Sequence, residues 1–454
     1  MKTLTESIQD YLAVRRSLGF KLRDAGVALA DFPALWRWSV EDIPAFWTAL
    51  WDFAGIVGER GGAALENPTA MPGARFFPDS RLSYAETILR HTGERAAIVF
   101  RGEDGRRIVW SRDELRAQAA GFAAGLRALG LGVGDRVAAY LPDIPEAIAA
   151  MLGTNAAGGT WSSCSPDFGP AGVLDRFGQI EPTVLVAADG YRYGGKTFRN
   201  AAKIREVMAG LPTVQRLVIV PFIGDAEALA IPRAVAWESF CVPGAALEFT
   251  RLKFGHPLYI LYSSGTTGKP KCIVHGAGGV LLKHASEHLL HTDLKPDDRL
   301  FYFTTLGWMM WNWQVSGLMA GATLLLFDGN PFHPSPAALF DIAEAEGMTI
   351  FGTSAKYIDG IAKAGLKPRE THDLSALRAM LSTGSPLAPE SFDYVYRDVK
   401  PEIGLYSISG GTDIVGCFAL GNPAGPVRRG GSSARAPRAA LQVVEHGGAP
   451  GLGG

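Results

Sequence analysis

From about residue 81 the chain alternates short β-branched and aromatic runs with Ala- and Leu-rich stretches whose apolar positions repeat at helical spacing. "AAIVF", "SRDELRAQAAGFAAGLRALG", "DRVAAYL" and "IPEAIAAMLGTNAAG" read as strand, helix, strand, helix. The rhythm resumes after Arg251 with "PLYILYS", "GVLLKHASEHLL", "DRLFYFT", "ATLLLF", "PAALFDIAEAEG", "MTIFGTS", "LRAMLST" and "IGLYSIS". Such alternation predicts parallel strands joined by crossover helices, and so a layered α/β body. Several of these strands end in Gly, Ser or Thr, where open α/β sheets hold ligands. The longest apolar stretch, "VSGLMAGATLLLF" from Val315 to Phe327, falls short of the ~20 residues a membrane helix needs. It reads as a buried helix end, a glycine turn and a strand.

Both ends differ from this body. Residues 31 to 53 are dense in Trp and Phe and carry a helix-start signal, Ser39 followed three residues later by Asp42. Aromatic density of this kind predicts packing against a larger body. After Pro423 the chain turns to Gly, Ala, Pro and Arg with one short strand-like run, "ALQVV", the composition of a disordered tail.

Length and charge narrow the function. A chain of 454 residues suits two or three domains. With 44 Lys plus Arg against 45 Asp plus Glu, no nucleic-acid or membrane partner is expected. The four cysteines form no CxxC pair, which argues against a zinc site or disulfide framework and for a reducing, cytoplasmic setting. The first residues lack the apolar core of a signal peptide.

The chemistry concentrates in "LYSSGTTGKPKCIVHGAGG", residues 261 to 279. Small residues let backbone N–H groups face phosphate oxygens, hydroxyls add donors, and lysine adds charge. It is not a Walker A loop, because Gly265 and Gly268 are three apart and Pro270 follows Lys269. On its own such a Gly/Ser/Thr run is more often a structural turn than a phosphate cradle.

Its neighbours add to this. Tyr262 to Lys271 resembles the phosphate-binding signature of the adenylate-forming superfamily, "STGSPL" (Ser382 to Leu387) its adenine-contacting loop, and "YSISGGTDIVG" (Tyr406 to Gly416) the segment ending in Thr and an acidic residue. "LWRWSVEDIPAFWTALWDFAG", "ARFFPDSRLSYAETILR", "LGWMMWNW" and "SISGGTDIVGCFALGNP" resemble the acetoacetyl-CoA synthetase family within it, over residues 30 to 423. The resemblance implies an α/β fold, a large multi-layered N-terminal adenylation domain. It divides the chain into an atypical N-terminal helix (1–25), an aromatic-rich cap (26–85), an AMP-binding adenylation domain (86–423) and a disordered or frameshifted tail (424–454).

It also implies ATP-dependent ligation of acetoacetate to coenzyme A through an acyl-adenylate, with Mg²⁺ as cofactor. Ser263, Ser264, Gly265, Thr266, Thr267, Gly268, Lys269 and Lys271 would surround the β- and γ-phosphates. Thr412 would bond the α-phosphate, and Asp413, where most relatives carry Glu, would hold Mg²⁺. Gly384, Ser385 and Pro386 would edge the adenine, with Ser409, Gly410 and Gly411 against its other side. Thr412, Asp413 and Lys271 form the catalytic set. Trp308, Trp311 and Asn312 would line an acyl pocket, with core packing as the alternative. Arg192 and Lys196, in "GYRYGGKTFR", would meet the coenzyme A nucleotide, or else form a solvated basic loop. His256 and His275 read as structural.

Past residue 423 the resemblance implies a ribose-binding acid, a hinge and a small C-terminal domain with a catalytic lysine, none of which is legible. Gly431 to Ser433 matches what one extra base would produce, so a frameshift and an impaired enzyme are expected. "YLAVRRSLGFKLRDAG" resembles the opening helix of tyrosine-recombinase core-binding domains, with a basic amphipathic helix as the plain alternative. Alternative functions are ligation of another short acid, such as acetate or propionate, or nucleotide binding without turnover.

Overall fold

The computed structural model describes residues 32–263 and 268–437. The helix expected over residues 1–25 and the run "ALQVV" lie outside them. Two seven-stranded sheets form the body. Across the first run Ala234–Ala236, Arg216–Val220, Val184–Ala188, Arg136–Tyr140, Thr160–Cys164, Pro257–Ser263 and Lys271–Gly276. Across the second run Gly404–Ser407, Ala379–Thr383, Ile350–Ser354, Arg299–Tyr302, Thr323–Asp328, Ala96–Gly102 and Arg107–Ser111. Each sheet is parallel except for its last strand, which returns antiparallel through a hairpin. Strands Thr160–Cys164 and Val184–Ala188 are buried at every position, as expected of parallel strands covered on both faces.

Helix Arg112–Ala128 starts at a capping box: Ser111 Oγ accepts the Glu114 N–H, and the Glu114 carboxylate accepts the Ser111 N–H. It packs tightly on helix Pro145–Ala156, where a Cβ on Gly153 would come within 2.7 Å of the Ala119 carbonyl. The strands flanking it were expected to pair in parallel. Instead Ala96–Gly102 lies in the second sheet and Arg136–Tyr140 in the first. The helix is a bridge between sheets, because the hairpin strand Arg107–Ser111 already covers the edge it leaves.

The aromatic segment forms helices Phe32–Glu41 and Ile43–Ala54. Ser39 does not start a helix: it lies inside the first, and its hydroxyl donates to Trp36 O at 2.6 Å. The cap is Asp42, whose carboxylate accepts the Ala45 N–H ahead of a helix with Pro44 in its first turn. Trp51 packs on Phe77 and Phe77 on Phe254, with ring centroids 5.1 and 5.4 Å apart. This segment shares one buried core with the first sheet and helix Met309–Ser316.

Val315 to Phe327 forms the expected helix end, a glycine turn at Gly321 (φ 78°) and strand Thr323–Asp328. Residues 424–437 depart from the disordered stretch expected there. Strand Ala434–Arg435 pairs antiparallel with Gly416–Leu420, Ala436 is fully buried, and Arg429 bonds Asp393 at 2.7 Å. Strand Gly416–Leu420 pairs on one side with Ser409–Gly411, and its other edge needs backbone partners that Ala434–Arg435 supplies, a demand composition does not reveal.

Candidate active site

A cavity of about 550 Å³ opens beside the C-terminal ends of strands Ala379–Thr383 and Gly404–Ser407. One wall is the turn Gly384–Pro386; Gly384 has φ 88°, a conformation that L side chains rarely adopt. Ser407 and Ile408 form its floor, tied down where Ile408 N donates to Ser382 O at 2.8 Å. The facing wall is Ser409–Thr412, and a third is Trp308, Met309 and Met310.

Strand Ser409–Gly411 pairs antiparallel with Gly416–Leu420, Gly410 opposite Cys417. Between them Thr412–Ile414 makes one 3₁₀ turn, closed by Val415 at φ 47°. Thr412 faces the cavity, whereas Asp413 is exposed and lines a second hollow of about 430 Å³ with His275, Lys283, Phe76 and Phe254. Two histidines brace this turn from beneath. His275 bonds the Thr412 carbonyl, and His284 Nε2 bonds Val415 O at 2.6 Å. Burial pushes the His284 pKa down to about 3, so the ring is neutral at physiological pH. With a proton on Nε2, its Nδ1 accepts from Ser316 Oγ at 2.6 Å.

The structure therefore brings Gly384, Ser385, Pro386, Ser409, Gly410, Gly411, Thr412 and Trp308 to one cavity. Ser264, Gly265, Thr266 and Thr267 lie outside the described residues. Ser263 and Lys271 face each other at the mouth of a hairpin and, with Gly268 and Lys269, are not among the cavity's described wall residues. Lys269 reaches Asp175 at 4.0 Å. Among the described residues no three His, Cys, Asp or Glu side chains gather as a metal site. A cation here would take the exposed Asp413 carboxylate and draw further oxygens from phosphate, which suits Mg²⁺.

Trp311 and Asn312 are not among the described wall residues of this cavity. The chain enters helix Met309–Ser316 from an extended Trp308, so residues 308 to 310 face the opening and the next turn faces the core. Trp311 is fully buried, stacks near Trp161 and donates from Nε1 to Asp143 Oδ1 at 2.9 Å. Asn312 is also fully buried, and its amide has no partner among the described residues. Met309 and Met310 line the cavity although nothing in the aromatic motif around them marks them out. Gly430, Gly431 and Ser432 fall in the stretch expected to be a disordered or frameshifted tail, yet they line the cavity, and Ser432 Oγ donates to Ser407 O at 2.7 Å.

Arg192 and Lys196 sit away from the cavity on the hairpin Gly190–Tyr193 and Lys196–Arg199. The Glu103 carboxylate accepts the Gly194 and Gly195 N–H groups at 2.8 and 3.0 Å. Arg192 is paired with Asp104, and Lys196 is exposed. His256 bonds Gly158 O at 3.1 Å, a structural contact.

Residues 85–450 match the family model described as AMP-binding enzyme, and the chain belongs to that family. Within it, the chain is 55% identical over 413 residues to an acetoacetyl-coenzyme A synthetase of Rhizobium meliloti (strain 1021), covering 89% of this chain and 63% of that one. It is 43% identical over 424 residues to the acetoacetyl-CoA synthetase of Mus musculus, covering 90% and 63%. Among solved structures it matches acetoacetyl-CoA synthetase from Streptomyces lividans with a TM-score of 0.90 at 41% identity, covering 95% of this chain and 68% of that one. The chain thus spans about 63% of the length of these curated relatives. No helix among the described residues is long and apolar enough to cross a membrane.

Proposed function

We propose that this chain carries the adenylation site of an acetoacetate–CoA ligase. One observation carries the reading: a single cavity walled by the Gly384–Pro386 turn, the Ser409–Thr412 strand end and the Trp308–Met310 helix start, in a chain 55% identical to an acetoacetyl-CoA synthetase. A carboxylate oxygen of acetoacetate would attack the α-phosphorus of ATP, the bond to the β-phosphate would break, and pyrophosphate would leave. The coenzyme A thiolate would then attack the acyl carbon and AMP would leave. Both steps depend mainly on positioning and on donors facing developing charge.

In this reading Gly384–Pro386 and Ser409–Gly411 sandwich the adenine, and the Thr412 hydroxyl donates to the α-phosphate. The loop from Ser263 to Lys271 receives the leaving phosphates. Mg²⁺ at Asp413 would offset phosphate charge. Met309 and Met310, rather than Trp311 and Asn312, join Trp308 along the acyl group. Lys196 is the cation open to the coenzyme A nucleotide, and Arg192 would have to leave Asp104 to join it. Four free cysteines fit a cytoplasmic setting.

The test is ATP binding by calorimetry together with acid-dependent exchange of labelled pyrophosphate into ATP. Exchange that needs Mg²⁺ and runs faster with acetoacetate than with acetate or propionate is expected. Equal exchange with the simpler acids would reassign the substrate. ATP binding without exchange would leave a nucleotide-binding role only.

A further inference from the structure

Beneath the cavity lies a set of buried polar contacts that the reaction above does not use. Helix Ala277–Ser286 runs on into the wide turn Glu287–His291. Glu287, at its junction, is fully buried. Its Oε1 accepts the Cys417 N–H at 2.8 Å and meets Lys283 Nζ at 2.9 Å, while Oε2 accepts Trp313 Nε1–H at 2.8 Å. Lys283 Nζ also donates to Cys417 O at 2.6 Å. The ion pair therefore grips both backbone groups of Cys417, a residue on the cavity wall and opposite Gly410.

The other end of the contact reaches a different wall. Trp313 lies one turn into the helix whose start presents Trp308, Met309 and Met310 to the cavity. Glu287 thus ties strand Gly416–Leu420 to helix Met309–Ser316. Its approach leaves no room for a side chain at 416, where a Cβ would meet Glu287 Oε1 at 2.4 Å and Lys283 Cε at 2.9 Å. A buried ion pair adds little net stability over apolar packing of the same volume, because desolvation offsets its attraction. What it does supply is direction, since three donors converge on one carboxylate.

We infer that Glu287, held by Lys283, is a positioning residue of the nucleotide site. It sets strand Gly416–Leu420, and with it the Thr412–Asp413 turn, against the helix that forms the acyl wall. The inference rests on reading the cavity as that site. The experiment compares the full chain with Glu287→Gln, which keeps the volume, and with the double variant Lys283→Met/Glu287→Gln, which removes the unpaired ammonium. Hydrogen–deuterium exchange and the Mg²⁺ dependence of ATP binding are read in each.

The single variant is expected to speed exchange in residues 411–420 and raise the Mg²⁺ half-saturation, each by roughly tenfold for one lost charge-assisted bond. Strands Arg136–Tyr140 and Ala379–Thr383 should keep their protection, and the double variant should recover part of the loss. Unchanged exchange at 411–420, or equal acceleration in every strand, overturns the inference. A wild-type chain that binds no ATP overturns the nucleotide reading instead, and the exchange data still decide whether Glu287 sets the turn.

Discussion

Gly410 and Gly411 are adjacent in sequence but not equivalent in structure. A Cβ on Gly410 would sit 2.0 Å from the Gly416 carbonyl, while one on Gly411 would meet nothing within 4 Å. Gly410→Ala should therefore cost roughly 1–3 kcal/mol of stability, the usual range for overpacking, and lower ATP affinity as strand Ser409–Gly411 shifts. Gly411→Ala should unfold at the wild-type denaturant midpoint, and equal loss in both variants would contradict this. A second contrast separates Met310 from Trp311. Met310→Ala should change the ranking of short acids in pyrophosphate exchange. Trp311→Phe should leave the ranking intact but lower stability, because Asp143 Oδ1 loses its indole donor. The sequence made Trp311 and Asn312 look like pocket residues because an aromatic stripe is ambiguous until the helix entry angle is known. The Gly384–Pro386 and Ser409–Thr412 segments, which line one cavity, stand out in the sequence because runs of small and hydroxylated residues are a local pattern.

Elements meet here through carboxylates drawn out of water as well as apolar packing, with Asp143 buried and Asp328 half-buried. Asp328 ends a strand of the second sheet and accepts the N–H of Asp143, which follows a strand of the first, at 3.2 Å. Burial raises the Asp328 pKa to about 7, opposed by that hydrogen bond and by Arg106, and reinforced by Glu103 and Asp167. Its folded pKa exceeds the unfolded one, so the folded state binds more protons between pH ~4 and ~7 and loses stability as pH rises through that window. Asp328→Asn should match the wild type below about pH 4 and gain on it up to pH 7, by on the order of 4 kcal/mol. Urea unfolding at pH 4.5, 6 and 8 measures the difference, and a gap that does not widen with pH would refute it. Histidines act in the opposite sense. Burial lowers His284 and His288 to about 3 and His291 to about 4, so their stabilisation is complete above about pH 6.5 and falls away on acidification. The two sets partly cancel in the wild type, which is why the single variant is the informative measurement. Neither set was legible in sequence, since a lone Asp or His does not announce its burial.

Among the described residues two large sheets of like design and an aromatic cap share a central core, and each sheet carries a further apolar cluster on its other face. Phe77, fully buried between Trp51 and Phe254, joins cap to body. Phe77→Ala should cost ~3–5 kcal/mol, and cap and body should still unfold in one step because they share that core. Separate unfolding transitions by tryptophan fluorescence and circular dichroism would contradict a shared core. Most strands and helices were determined by the sequence itself, because alternating apolar periods and caps such as Ser111 with Glu114 are local properties. The two glycine- and hydroxyl-rich walls were equally local. Which strands share a sheet was a tertiary decision: "AAIVF" and "DRVAAYL" are separated only by the hairpin strand Arg107–Ser111 and one helix, yet they lie in different sheets. Tertiary structure also put Ser432 at the cavity, turned Trp311 away from it, and set Glu287 behind Cys417. Those outcomes depend on backbone groups far apart in sequence meeting across a packed core, where an unmet donor or a misplaced side chain costs too much to persist.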